Sequence, residues 1–152
     1  MLPGSFDPIT LGHWDVVTRA AHLFDHVILG VGVNCGKNSL FTIEQRVSMV
    51  SQAIAGLPNV SVEAMPGLLV DFCRDHDATV VVRGARNGSD FEWEWAMAAA
   101  NASLGEVETV ILPASAAVGF ISSTVVRSVI LAGGDATAYV PTNVSIPLPK
   151  EL

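Results

Sequence analysis

Short apolar runs alternate with stretches of helical periodicity from one end of the chain to the other, and this alternation restricts the fold more than any other feature. A first strand ends at Pro3, and Val27 to Val33, Val60 to Ala64, Thr79 to Val82 and Val107 to Leu112 read as four more strands. The nearly continuous apolar character of Val27 to Val33 is that of a parallel strand buried on both faces. Between them, Val17, Ala20, Ala21 and Phe24 recur at the spacing of one helix face in residues 13–24. Thr42-x-x-Gln45 is a capping box that opens a helix with the stripe Ile43, Val47, Val50, Ile54 and Leu57. Leu68 to Arg74 predicts a short helix, and Ser89 or Asp90 is the expected cap of another that reaches about Leu104. A last helix starts at Ser122 or Ser123 and stops before Gly133-Gly134. Crossovers of this length imply α/β architecture: a single Rossmann-like domain over residues 1–152, with one five-stranded parallel sheet and helices on both faces. Pro147 and Pro149 predict an irregular tail over 141–152.

The polar and glycine-rich segments fall in a pattern of their own. Residues 3–12, 34–38, 83–90 and 113–123 each follow a strand, so all of them gather at the carboxyl edge of the sheet, where open α/β folds bind ligands. In the first segment Pro3 and Pro8 fix φ, Gly4 lets the backbone come close to a ligand, and Thr10 is the expected N-cap. Gly12 and His13 then lie in a first helical turn, whose free N–H groups and dipole favour an anion. Ser122, Ser123 and Thr124 form a second such start, and with it a second anion site. Arg83 and Arg86 are two of only eight basic residues, and their place after a strand is suited to phosphate. Asp7 is the acidic residue of the first loop, although Asp-Pro also favours turns without any further role.

Composition narrows the partners. With 50% hydrophobic and 15% charged residues, the chain is expected either to assemble with other copies or to have a rich α/β core. A net charge of −7 argues against nucleic acid, so phosphate binding must be local. Cys35 and Cys73 have neither disulfide-framework nor metal spacing. No apolar run reaches membrane length and no signal peptide is evident, so a cytoplasmic location is expected.

The string Gly-Ser-Phe-Asp-Pro-x-Thr-x-Gly-His at 4–13, taken with Ile121-Ser122-Ser123-Thr124, resembles the signature pair of the nucleotidyltransferase superfamily. Residues 34–41, Arg83-Gly84-x-Arg86 and Asp90-Phe91-Glu92 are similar more narrowly to bacterial phosphopantetheine adenylyltransferases, with likeness from Pro3 to about Pro141. The resemblance implies transfer of AMP from ATP to 4′-phosphopantetheine by direct in-line attack, giving dephospho-coenzyme A and pyrophosphate in coenzyme A biosynthesis. It gives His13 and Lys37 the catalytic roles. It implies ATP contacts from Ser5, Phe6, His13, Gly84, Ala85, Arg86, Glu94 and the segment Val118, Gly119, Phe120, Ile121, Ser122, Ser123 and Thr124. Acceptor contacts are implied for Ser5, Lys37, Leu69, Arg83 and Asn101, with Leu68, Met97 and Ala100 beside them as pocket or plain core. Magnesium is expected to arrive with ATP, without a protein-built cage. A homohexamer, with coenzyme A as a feedback ligand, follows from the same resemblance. Arg127, one turn into the last helix, points either to the phosphates or to solvent. The first strand is shorter than in the family, which predicts fewer ladder bonds there. The alternatives are an adenylyltransferase for another phosphate acceptor, such as nicotinate mononucleotide, and a non-catalytic nucleotide-binding regulator.

Overall fold

The computed structural model describes residues 1–33 and 39–149. Five strands alternate with five α-helices: β1 (Leu2–Gly4), α1 (Leu11–Leu23), β2 (Val27–Gly32), α2 (Ile43–Ile54), β3 (Val60–Met65), α3 (Leu69–Asp75), β4 (Val80–Ala85), α4 (Gly88–Leu104), β5 (Glu108–Pro113) and α5 (Ser123–Leu131). A 3-10 turn at Thr137–Tyr139 follows, and residues 140–149 contain neither helix nor strand.

All strand pairs are parallel, but the single five-stranded sheet expected from the sequence is not what forms. The strands make a three-stranded sheet in the order β1-β2-β3 and a two-stranded sheet of β4 and β5. The seam lies between β1 and β4, where Met1 N donates to Val80 O at 2.8 Å and Val82 N to Met1 O at 2.8 Å. Two residues further, Pro3 has no N–H to offer, and its carbonyl accepts instead from the Arg83 side chain at 2.7 Å. The ladder stops there for want of backbone partners.

Two element boundaries also differ from the sequence reading. Arg83, Gly84 and Ala85 belong to β4, paired with Ile111, Leu112 and Pro113, rather than to the loop after it. The cap of α4 is Asn87, whose side chain accepts from Asp90 N at 2.9 Å, in place of Ser89 or Asp90. The capping box of α2 forms as expected, with Gln45 N on Thr42 Oγ1 and Thr42 N on Gln45 Oε1.

The main core is built from the apolar runs of β2 and the stripe of α2. Val27, Leu29 and Val31 of β2 pack with Val17, Met49 and Val50 from the flanking helices, all fully or almost fully buried. Phe6 and Ile9 from the first loop complete this cluster with no exposure at all, which fixes that loop to the body of the molecule.

Candidate active site

The carboxyl ends of β1 and β4 and the starts of α1 and α5 enclose a cleft of about 620 Å³. Its walls include Ser5, His13, Arg83, Gly84, Arg86 and Glu94 on one side and Ile121, Ser122, Ser123, Thr124 and Arg127 on the other. The two helix starts, more than a hundred residues apart in the chain, therefore face one space. They are also in direct contact: a β-carbon on Gly12 would sit 2.5 Å from Ile121 O, so the close approach requires glycine there. Ser123 Oγ donates to Pro8 O at 2.9 Å, and Arg127 Nη1 to Asp7 O at 2.9 Å, tying α5 to the first loop.

His13 is held by its own helix cap. Thr10 caps α1, and its backbone N–H donates to His13 Nδ1 at 3.1 Å while its hydroxyl lies 3.1 Å from the same nitrogen. Nδ1 is thus an acceptor, and the tautomer that follows carries its proton on Nε2. The Phe6 ring lies against the imidazole, with centroids 5.1 Å apart. Burial, with Arg83 and Arg86 adding repulsion, lowers the His13 pKa to about 4. At neutral pH the imidazole is a neutral Nε2–H donor.

The arginines are paired with helix α4. Arg83 Nε and Nη2 donate to the Glu94 carboxylate at 2.6 Å each, and a third donor goes to Pro3 O, which leaves two of its five N–H groups. Glu94 is 7% exposed and so is not a solvated helix residue. Arg86 holds Asp90 in the same two-pronged way, at 2.6 and 3.1 Å. These hydrogen bonds push the Asp90 carboxyl below its ordinary value and raise the Arg86 guanidinium. Arg127 turns back to the first loop and to Thr124 Oγ1 at 3.1 Å, so it lines the cleft and is not a solvent-directed side chain.

Asp7 serves the scaffold. Its carboxylate accepts from Leu40 N at 2.9 Å and Phe41 N at 3.0 Å, with Arg127 at 3.6 Å. Among the described residues no group of three potential metal ligands occurs, and the cleft's own carboxylates are all engaged by arginine.

A second cavity of about 350 Å³ opens behind the first and shares Pro3, Gly4, Ser5, Arg83, Trp93 and Glu94 with it. Leu69, Met97 and Asn101 line it, whereas Leu68 is 59% exposed elsewhere and Ala100 is exposed on the outer side of α4. No side chain among the remaining expected contacts forms cleft wall. Phe6 and Ala85 are buried, Val118 packs with Ile121 and Val126, Gly119 lies in the adjoining turn, and the Phe120 side chain is 65% exposed. Lys37 and the rest of 34–38 lie outside the described residues.

Sequence reasoning missed Trp93, which lines both cavities, and Asp15, whose carboxylate accepts from Ser115 N at 3.1 Å and Ser115 Oγ at 2.6 Å. Burial alone would raise the Asp15 pKa, but those bonds and Arg19 outweigh it and hold it low. No local signal marks either residue. It also missed Arg46, whose signal was present: a cation in line with the apolar stripe of α2.

Comparison with known proteins shows the family. Residues 1–129 match the family model described as cytidylyltransferase-like. A phosphopantetheine adenylyltransferase of Cutibacterium acnes is 48% identical over 95% of this chain and 92% of its own length. The chain belongs to the phosphopantetheine adenylyltransferase family. Relatives of the same description from Nocardioides sp. and Methylococcus capsulatus are 50% and 47% identical, over 91% and 98% of this chain and 87% and 93% of theirs. Among solved structures, a lipopolysaccharide core biosynthesis protein from Thermoplasma volcanium superposes with a TM-score of 0.53 at 19% identity, covering 76% of this chain and 93% of that one. That likeness shows the Rossmann-like fold. As a family member, the chain is a nucleotidyltransferase.

Proposed function

We propose that the protein transfers AMP from ATP to 4′-phosphopantetheine, releasing pyrophosphate and forming dephospho-coenzyme A. The observation that carries this reading is the single cleft onto which the starts of α1 and α5 both open, with His13 in its wall. ATP enters as its magnesium complex, the metal held by phosphates and water because Glu94, Asp90 and Asp7 are committed to protein partners. The β- and γ-phosphates take the N–H groups at Ser122, Ser123 and Thr124, with Arg127 beside them.

The acceptor's phosphate binds the free donors of Arg83 and the side chain of Ser5, and the family resemblance gives Lys37 the same oxygens. Its pantetheine arm runs into the second cavity, past Leu69 and Met97 to Asn101. An acceptor oxygen attacks the α-phosphorus in line and pyrophosphate leaves, with no covalent enzyme intermediate. The neutral imidazole donates to the charge that builds on the α-phosphate, and a positioned donor of this kind is worth a factor of about 10² to 10³ in rate. A base is not needed, since the attacking phosphate is already an anion.

The exposed Phe91, Trp95 and Leu104 of α4 support assembly into a homohexamer. Coenzyme A, which shares the pantetheine arm, is the feedback ligand in this reading, and the place of action is the cytoplasm. The deciding experiment is pyrophosphate release by purified protein with magnesium, ATP and either 4′-phosphopantetheine or nicotinate mononucleotide. Release with the first acceptor alone is expected. Release only with the second, or none with ATP bound, overturns the reading.

A further inference from the structure

Arg46 of α2 takes no part in the reaction as described, yet it is 3% exposed. Its Nη1 donates to Ser5 O at 2.7 Å and to Gly32 O at 2.9 Å, just past β1 and at the end of β2. Its Nε has no partner among the described residues. Burying a guanidinium with one donor unmet is costly, so the two bonds it does make call for a purpose that an apolar side chain would not serve.

The first loop as a whole suggests that purpose. Three of its carbonyls, and that of Pro3 in β1, are held by side chains from other elements: Pro3 O by Arg83, Ser5 O by Arg46, Asp7 O by Arg127 and Pro8 O by Ser123. In a trans peptide the C=O and the following N–H point in opposite directions. A Ser5 carbonyl drawn toward α2 therefore turns the Phe6 N–H away from α2. Gly4 and Ser5 line both cavities, and Phe6 N–H has no partner among the described residues. Phe6 also has φ of 45°, in a region that a bulky residue occupies only when its surroundings hold it there.

We propose that Arg46 is a positioning residue for the transfer: by gripping the Ser5 carbonyl it aims the Phe6 N–H at a phosphate oxygen in the cleft. The inference rests on the nucleotide-binding reading of the cleft, but its test does not require an acceptor. Ser5-Phe6 is the sole Ser-Phe pair among the six phenylalanines, so carbonyl-¹³C serine with ¹⁵N phenylalanine isolates the Phe6 amide signal. Adding magnesium and ATP to the wild-type protein is expected to move this signal more than any other phenylalanine amide. In Arg46→Lys and Arg46→Met the movement is lost, and kcat falls by about tenfold or more while KM for phosphopantetheine stays within about twofold. A Phe6 signal that stays still at saturating ATP overturns the proposal even if neither variant folds. So does a folded Arg46→Lys protein with wild-type kcat and signal movement. If no acceptor is adenylylated, the reaction assignment fails, while the ATP-induced shift still decides the role of Arg46.

Discussion

His13 is neutral because of what surrounds it, and the sign of its pH dependence follows. Its pKa in the folded chain is about 4 against 6.5 unfolded, so between those values the unfolded chain binds the extra proton. The contribution to stability is fully present above pH 6.5 and is lost as the pH falls toward 4. A ¹³C titration of the ring in the ligand-free protein is expected to show a midpoint near 4 and an Nε2-protonated tautomer. A midpoint near 6.5 would remove the claim that a neutral donor faces the phosphate. At this scale the sequence was most legible where residue type and position coincide, as for Thr10, His13 and Ser122, whose caps follow from local chemistry. It was opaque for Trp93 and Asp15, which matter through partners distant in the chain. Glu94 lay between: nothing local distinguished a buried partner of Arg83 from a solvated helix residue.

At the scale of elements, the contact between the start of α1 and the loop before α5 determines the width of the cleft. Gly12→Ala forces a methyl group against Ile121 O, and overpacking of this kind costs about 1–3 kcal/mol. Denaturant unfolding is expected to show that loss, together with weaker ATP binding, because the two helix starts must separate. Gly56→Ala is the control: its β-carbon would meet nothing within 4 Å, so a change within about 0.5 kcal/mol is expected. Equal effects of the two substitutions would contradict the close approach. The start of helix α2 was readable from its box and stripe, although the stripe runs on to Leu57 and the helix ends at Ile54. The end of β4 was not, because its last residues are strand only by virtue of pairing with Ile111, Leu112 and Pro113, a non-local fact. The cap of α4 was ambiguous for another reason: Asn87, Ser89 and Asp90 are all good caps, and Asp90 is drawn to Arg86.

Across the whole molecule, an acidic chain concentrates its few cations where phosphate must go. Arg83, Arg86 and Arg127 are three of the eight basic residues, and all line one cleft in a protein of net charge −7. The field is therefore local, which suits a small anion and not a polyanion. Strand and helix alternation made the fold class legible, but the division of the sheet at β1 was not, since it depends on where Pro3 and the Arg83 side chain meet. The central claim is that the two helix starts grip one triphosphate. The most direct measurement is a crystal structure with magnesium and a non-hydrolysable ATP analogue. The account predicts the β- and γ-phosphates at the Ser122 to Thr124 amides and the α-phosphate within hydrogen-bond distance of His13 Nε2. A triphosphate bound away from the start of α5, or an α-phosphate out of reach of His13, would contradict it.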